Sequence, residues 1–439
     1  MPTRYLIVGN GPAGATAALA IREHDATAEI QLVGAEKHAF YSRPGLAYYL
    51  TGQIPEGALF SRPDKELDRA HVERTRGRVA AVDPRGHRVE LADGKALRYD
   101  RLLLGVGATA VRPDVEGSGL EGVVTLDSLE DARLIVKLAR RAKRAVVVGG
   151  GITAIELAEG LVANGVTTHY LMRGDRYWAS VLDERESALV ETRLQHDGVV
   201  LHRNTELGRV IGHRHRIAAI ETRDGERIEA DMLAVAVGTQ VRLELATQIG
   251  LQTGRGIFTD DTLATSECDI YAAGDAAEVL DPATGRRSID SLWSVAVAQG
   301  RVAGANMAGG SESCMPRPAP FNVTRLGGVT TTLIGAVGAG GRDGDLVALA
   351  RGDSNAWREQ LDGFAVATDS GANHLRLILS EDRILGAVVM GDQSLSRTLL
   401  HVIRARLDIR EVRGRLLEGQ AEVRQALASV MERAAPDAV

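Results

Sequence analysis

Two short stretches of this chain hold residues whose types and spacing can do chemistry. Tyr5-Leu6-Ile7-Val8 runs into Gly9, Gly11, Pro12, Ala13 and Gly14, and Ala145-Val146-Val147-Val148 runs into Gly149, Gly151, Ile152 and Ala154. An apolar run that meets glycines at this spacing and continues as a helical pattern presents bare backbone N–H groups and a helix N-terminus to a pyrophosphate. One such turn is a weak signal. Two in one chain point to two dinucleotides, and two dinucleotides point to electron transfer between them.

The residues beyond each turn separate the two. Glu36 lies 36 − 14 = 22 residues beyond Gly14, where an acid holds the ribose hydroxyls of a bound dinucleotide. The second stretch has no such acid: a strand over 166–171 is followed by Met172 and then Arg173-Gly174-Asp175-Arg176. Without a carboxylate, selection for a free 2′-hydroxyl is weak. Arg173 and Arg176 suit a 2′-phosphate, which leans the choice towards NADPH over NADH without fixing it. Arginine is common here, with five lysines among 52 basic residues leaving 52 − 5 = 47 arginines, so each single arginine carries little weight.

These residues need strands and helices to position them. Residues 4–8 read as a doubly buried strand because they are continuously apolar, 13–23 as its helix and 29–33 as the next strand. Residues 71–99 read as short strands of an antiparallel ribbon, with turns at Asp83-Pro84-Arg85-Gly86 and Asp93-Gly94. A helix over 125–142 leads into the second unit, and a helical pattern over 181–197 lies inside it. Beyond a linker with Pro316, Pro318 and Pro320, strands are expected at 330–338, 374–379 and 384–390, then helices at 394–407 and 411–434.

Composition bounds the rest. With 439 residues, 44% of them hydrophobic, the chain is long enough for two or three domains. A formal net charge of −6 without long single-sign blocks gives no reason to expect nucleic acid as a partner. No stretch approaches the roughly 18 to 20 apolar residues of a membrane span. The start shows no signal-peptide pattern, and Cys268 and Cys314 fall in no metal or CxxC spacing, which fits a cytoplasmic, reducing compartment. His213 and His215 have no acid or cysteine partner nearby in sequence and read as solvated, so no metal site is expected.

At Phe40-Tyr41-Ser42-Arg43-Pro44-Gly45-Leu46 a resemblance becomes specific. The order GNGPAG, acid, then YxRPxL resembles the FAD-binding half of the two-dinucleotide flavoprotein reductases. These are the pyridine nucleotide-disulfide oxidoreductase superfamily, with ferredoxin and rubredoxin reductases, NADH oxidases and nitrite reductase flavin portions. Further matches are Tyr99-Asp100-Arg101-Leu102-Leu103-Leu104-Gly105-Val106-Gly107, with Gly105-Val106 where Ala-Thr is usual, and Ala272-Ala273-Gly274-Asp275. The resemblance covers essentially the whole chain and is strongest over 1–310. A departure matters: no cysteine precedes residue 268. Flavin-coupled disulfide or sulfenate chemistry needs a thiolate, and the positions where relatives carry one have none.

The resemblance implies an α/β fold with two Rossmann-like, doubly wound, three-layer dinucleotide-binding domains, the second inserted in the first, plus a C-terminal α+β domain. It implies FAD on 1–113 and 245–315, NAD(P)H on 114–244, and an interface or dimerisation-type domain over 316–439. Arg43 and Pro44 would pass the flavin, Val79 would meet the adenine, Gly107 would let backbone approach the cofactor, and Asp275 behind Gly274 would hold the ribityl chain. Trp293 would be either a lid on the flavin or ordinary core. Glu156 would stand near the nicotinamide, and Gly238 would close the strand that hands back to the FAD domain. Arg43 and Glu156 are the expected orienting groups of an FAD-dependent NAD(P)H oxidoreductase that passes hydride to FAD and electrons to an external acceptor. That acceptor is expected to be a ferredoxin- or rubredoxin-type protein or a partner subunit. The alternatives are a slow flavoprotein subunit or redox sensor resembling apoptosis-inducing factor, or an NAD(P)H oxidase or quinone reductase. A homodimer is compatible with the C-terminal domain.

Overall fold

The computed structural model describes residues 2–60, 63–315, 319–338, 364–370, 373–418 and 420–434. Pro316 and Pro318 of the expected linker lie outside them. Contacts divide the chain into two compact units, one made of Met1–Ala110 and Thr239–Arg317, the other of Val111–Gly238 and Pro318–Val439.

In the first unit the continuous apolar run becomes Arg4–Val8, the middle strand of a five-stranded parallel sheet. Its neighbours are Glu29–Gly34 and Arg101–Leu104, with Ile270–Ala272 and Glu73–Arg76 at the edges. Both faces of the middle strand are covered, so Leu6, Ile7 and Leu102 are buried. The Pro12–His24 helix owes its alanines to its neighbour, the Trp293–Met307 helix. A Cβ on Gly300 would lie 2.3 Å from the Ala13 carbonyl oxygen, and one on Gly304 would lie 2.5 Å from that of Ala17. Two helix backbones this close admit only glycine on one side and alanine on the other. The expected ribbon over 71–99 is corrected in one strand. Val79–Asp83, Arg88–Leu91 and Ala96–Arg98 form it, but Glu73–Arg76 joins the parallel sheet as an edge, where its charged side chains reach solvent.

In the second unit the parallel sheet runs Val200–His202, Thr167–Leu171, Arg144–Gly149, Met232–Ala236, Val123–Thr125. The Leu129–Ala139 helix starts at a capping box: Ser128 caps the Asp131 N–H and Asp131 reaches back to Ser128. A three-stranded antiparallel sheet (Leu207–His213, Arg216–Thr222, Arg227–Glu229) carries His213 and His215 at its first turn, where both are exposed. The C-terminal part is a five-stranded antiparallel sheet ordered Phe321–Leu326, Val329–Gly335, Ile384–Met390, Asn373–Leu379, Phe364–Ser370. Ser396–Arg404 and Gln420–Ala434 pack on it through Leu399, Val402, Leu427 and Val430. The long helix expected over 411–434 comes as two, Arg413–Glu418 and Gln420–Ala434. Both parallel sheets and the α+β C-terminal part agree with the expected fold class. Among the described residues no helix is long and apolar enough to cross a membrane.

Candidate functional site

The first glycine turn is shaped by close backbone approach. Gly9 has φ +120°, and a Cβ there would stand 2.0 Å from the Gly105 carbonyl oxygen; one on Gly14 would stand 2.0 Å from that of Gly9. At Gly11 the same construction meets nothing within 4 Å. Gly11 is the helix N-cap and makes no side-chain cap, Pro12 follows it, and no acid occupies the first turn. The first N–H groups of the helix therefore keep no side-chain acceptor, and the N-terminal partial charge is unopposed. Asn10 Oδ1 is buried without a partner beside them. A cradle closed at Gly9 and Gly14 and open at Gly11, in front of a helix N-terminus whose N–H groups have no side-chain cap, fits a pyrophosphate.

Around this turn the structure gathers residues far apart in sequence. Gly34 ends the second strand so close to the turn that a Cβ there would sit 3.1 Å from Asn10 Cβ, and Glu36 comes two residues later. The Glu36 carboxylate accepts the Tyr41 hydroxyl at 2.7 Å and pairs through its other oxygen with Arg43. The Arg43 guanidinium also lies 5.5 Å from the Tyr41 ring centroid. Spacing alone does not single out Tyr41; its place two residues before Arg43 is the available signal. Gly274, φ +72°, donates a backbone bond to Gln299 at 2.8 Å, and its missing Cβ would lie 3.1 Å from Ala13 Cβ. The Gly274-Asp275 turn is thereby set against the first helix, about 260 residues away in the chain. Gly107 has φ +67°, and Arg242 bonds the carbonyl of Val106 beside it at 2.9 Å. Val79 is buried at the start of the ribbon. Trp293 is half-buried and meets Phe40 edge-on, ring centroids 5.6 Å apart.

The second turn repeats the design. Gly149 has φ +155°, with the Ala236 carbonyl oxygen 2.3 Å from its missing Cβ; Gly151 is an N-cap without a side-chain cap; Gly150 faces open space. Ile152 and Ala154 are buried against the sheet. Glu156, half-buried, stands in the second turn of the Ile152–Ala163 helix. Gly238, φ +125°, accepts the Val111 N–H at 2.9 Å. Met172 is buried, Arg173 is exposed, and Arg176 is half-buried with its Nε unpartnered.

Sequence reasoning misses the two aromatic residues next to Arg176. Tyr177 and Trp178 are buried, Trp178 at φ +49°, and Tyr177 lies between Tyr170 and Trp178 at ring-centroid distances of 6.4 and 6.2 Å. Tyr170 Oη, Tyr177 Oη and Trp178 Nε1 have no partner. Burial, then the charges of Tyr170, Glu159 and Glu156, hold the Tyr177 hydroxyl protonated well above its ordinary value. It remains a hydrogen-bond donor at any working pH.

Asp183, Glu186 and His374 lie close enough together to offer ligands to one metal ion. The Arg376 guanidinium already bonds both oxygens of Glu186. A second cation there would face that charge at contact distance.

Residues 3–300 match the family described as pyridine nucleotide-disulphide oxidoreductase. A rubredoxin-NAD(+) reductase from Ectopseudomonas oleovorans is 32% identical over 279 residues, 63% of this chain and 72% of that protein. The ferredoxin–NAD(+) reductase component of the biphenyl dioxygenase system of Paraburkholderia xenovorans is 32% identical over 357 residues, 80% and 84% of the two chains. Among solved structures, the covalent putidaredoxin reductase–putidaredoxin complex superposes with a TM-score of 0.83 at 23% identity, covering 98% of this chain and 99% of that one.

Proposed function

From the premise that the chain belongs to the pyridine nucleotide-disulphide oxidoreductase family, we propose that it is an FAD-dependent NAD(P)H oxidoreductase serving a small electron-transfer protein of the ferredoxin or rubredoxin type. The observation that carries this reading is the repeated glycine-capped helix, one in each unit, in a chain whose two cysteines, Cys268 and Cys314, form no disulfide and lie outside both turns. When bound, FAD takes a hydride equivalent from NAD(P)H and releases its electrons to the acceptor.

In this reading Gly9, Gly11, Pro12, Ala13 and Gly14 give backbone to the FAD pyrophosphate. Glu36 holds the ribose while fixing Arg43 beside the flavin. Val79 meets the adenine, Gly107 lets backbone approach, Gly274 and Asp275 hold the ribityl chain, and Trp293 covers one edge. Gly149, Gly151 and Ile152 take the nicotinamide dinucleotide, Glu156 orients its reacting end, Gly238 lets the chain return, and Arg173 and Arg176 meet a 2′-phosphate. The three-domain division at 113/114, 244/245 and 315/316 is part of the same proposal. So is a cytoplasmic location, supported by two cysteines that form no disulfide. No cysteine precedes residue 268, so neither the first glycine turn nor the Arg43 segment carries a thiol, and in this reading electrons leave for an external acceptor.

Turnover with each acceptor in turn tests this, the protein and quinone acceptors under anaerobic conditions and oxygen in air-equilibrated buffer. With NAD(P)H in excess, an added rubredoxin or [2Fe–2S] ferredoxin should be reduced at least about tenfold faster than oxygen or a quinone. Equal or faster turnover with oxygen would instead mean an NAD(P)H oxidase.

A further inference from the structure

We propose that Arg376 and His374, on a strand of the C-terminal sheet, are positioning residues for the nicotinamide-nucleotide site, acting through the Glu186 carboxylate on the segment from Met172 to Leu182. The proposal rests on assigning the Gly149–Ala154 turn and this segment to NAD(P)H.

Glu186 is fully buried at the third position of the Glu184–His196 helix. Its carboxylate accepts Arg376 Nε and Nη2, both at 2.9 Å, the Asp183 N–H at 3.0 Å and His374 Nε2 at 3.1 Å. Burial alone would raise this carboxyl; the His374 bond and the Arg376 charge outweigh it and hold it below the ordinary carboxylate value. The same Arg376 nitrogen, Nη2, donates to the Val181 carbonyl at 2.7 Å and to that of Val337 at 3.2 Å. One guanidinium thus ties the C-terminal sheet both to the helix start and to the segment that leads into it.

The middle of that segment, at Tyr177, is gripped by the same helix. Tyr177 N–H donates to Glu191 at 2.6 Å, and the Ser187 hydroxyl donates to the Tyr177 carbonyl at 2.7 Å. Between the two grips Trp178 takes φ +49°. A bulky residue holds that conformation only where its surroundings over-determine it. Arg176 Nε, Tyr177 Oη and Trp178 Nε1 are buried there without protein partners, as polar atoms are where a ligand or water completes the bonding. A buried ion pair adds little stability over well-packed apolar residues, so what Arg376 contributes is a fixed geometry. That geometry belongs to the segment carrying Arg173 and Arg176.

The test uses the full-length FAD-loaded protein. Arg376→Met should raise the Kd for NADP+ or NAD+, measured calorimetrically, and the KM for the reduced nucleotide by about tenfold. FAD content should stay stoichiometric, and kcat with ferricyanide should stay within about twofold. Arg376→Lys should recover part of the affinity. If Arg376→Met is not recovered folded, His374→Phe should raise the same Kd about threefold. Unchanged nucleotide affinity in a folded variant overturns the proposal, and so does a KM change that comes only with FAD loss. Wild-type protein that binds neither nucleotide overturns the functional reading and this proposal with it.

Discussion

Arg43 pairs with Glu36 across seven residues of one loop, with the Tyr41 hydroxyl on the carboxylate's second oxygen. Both partners are partly exposed, 28% and 37%, so the pair contributes at most about 1 kcal/mol to folding. Its larger effect falls on cofactor binding. Glu36→Gln should leave the melting temperature nearly unchanged and weaken FAD retention about tenfold or more, read from the FAD-to-protein ratio after dilution. Combined with Arg43→Gln, the losses should be less than additive, since each change already releases the other group.

Gly11 and Gly14 should respond in opposite ways to one methyl group. Gly14→Ala places a Cβ 2.0 Å from the Gly9 carbonyl oxygen and should cost about 3 kcal/mol or more in the apoprotein. Gly11→Ala meets no protein atom within 4 Å and should cost about 1 kcal/mol or less, while FAD affinity falls sharply. Denaturant unfolding of apoprotein beside FAD titration separates the two.

The Arg4–Asp100 pair gives a pH dependence with a definite sign. The Arg4 hydrogen bond holds the Asp100 carboxyl down at about 2, against an ordinary value of 3.8. A depressed acid stabilises the fold above its unfolded value and loses that contribution as pH falls from 3.8 towards 2. The side chains are 38% and 37% exposed, so screening limits the contribution to about 1 kcal/mol or less. Asp100→Asn should be less stable than wild type at pH 7, and the gap should close towards pH 2.

Nucleotide choice should follow Arg173. It is exposed beyond the strand end, and buried Met172 offers no carboxylate to a ribose hydroxyl. Arg173→Ala should raise the KM for NADPH about tenfold and leave that for NADH within about twofold. A parallel rise for both would place Arg173 at a phosphate shared by the two.

Much of this is legible in sequence because it depends on local chemistry. Continuous apolar runs mark the central strands, and glycine spacing marks both turns. Gly274-Asp275 can be joined to the first turn only by resemblance; in the structure Ala13 and the glycines of the Trp293–Met307 helix make the junction by steric exclusion. Glu73–Arg76 is misplaced by pattern alone because an edge strand with charged side chains reads like ribbon. Tyr177, Trp178 and the Glu186–Arg376 cluster leave no trace in spacing, since their partners lie up to 195 residues away.

The most direct test of two linked dinucleotide sites is an anaerobic titration of the purified FAD protein with NADPH and with NADH, followed by flavin absorbance. One equivalent of the preferred nucleotide should bleach the flavin, and Gly151→Trp should slow that bleaching at least about 100-fold with FAD still bound. A flavin that stays oxidised in excess of both nucleotides, or a Gly151→Trp variant reduced as fast as wild type, would contradict the account.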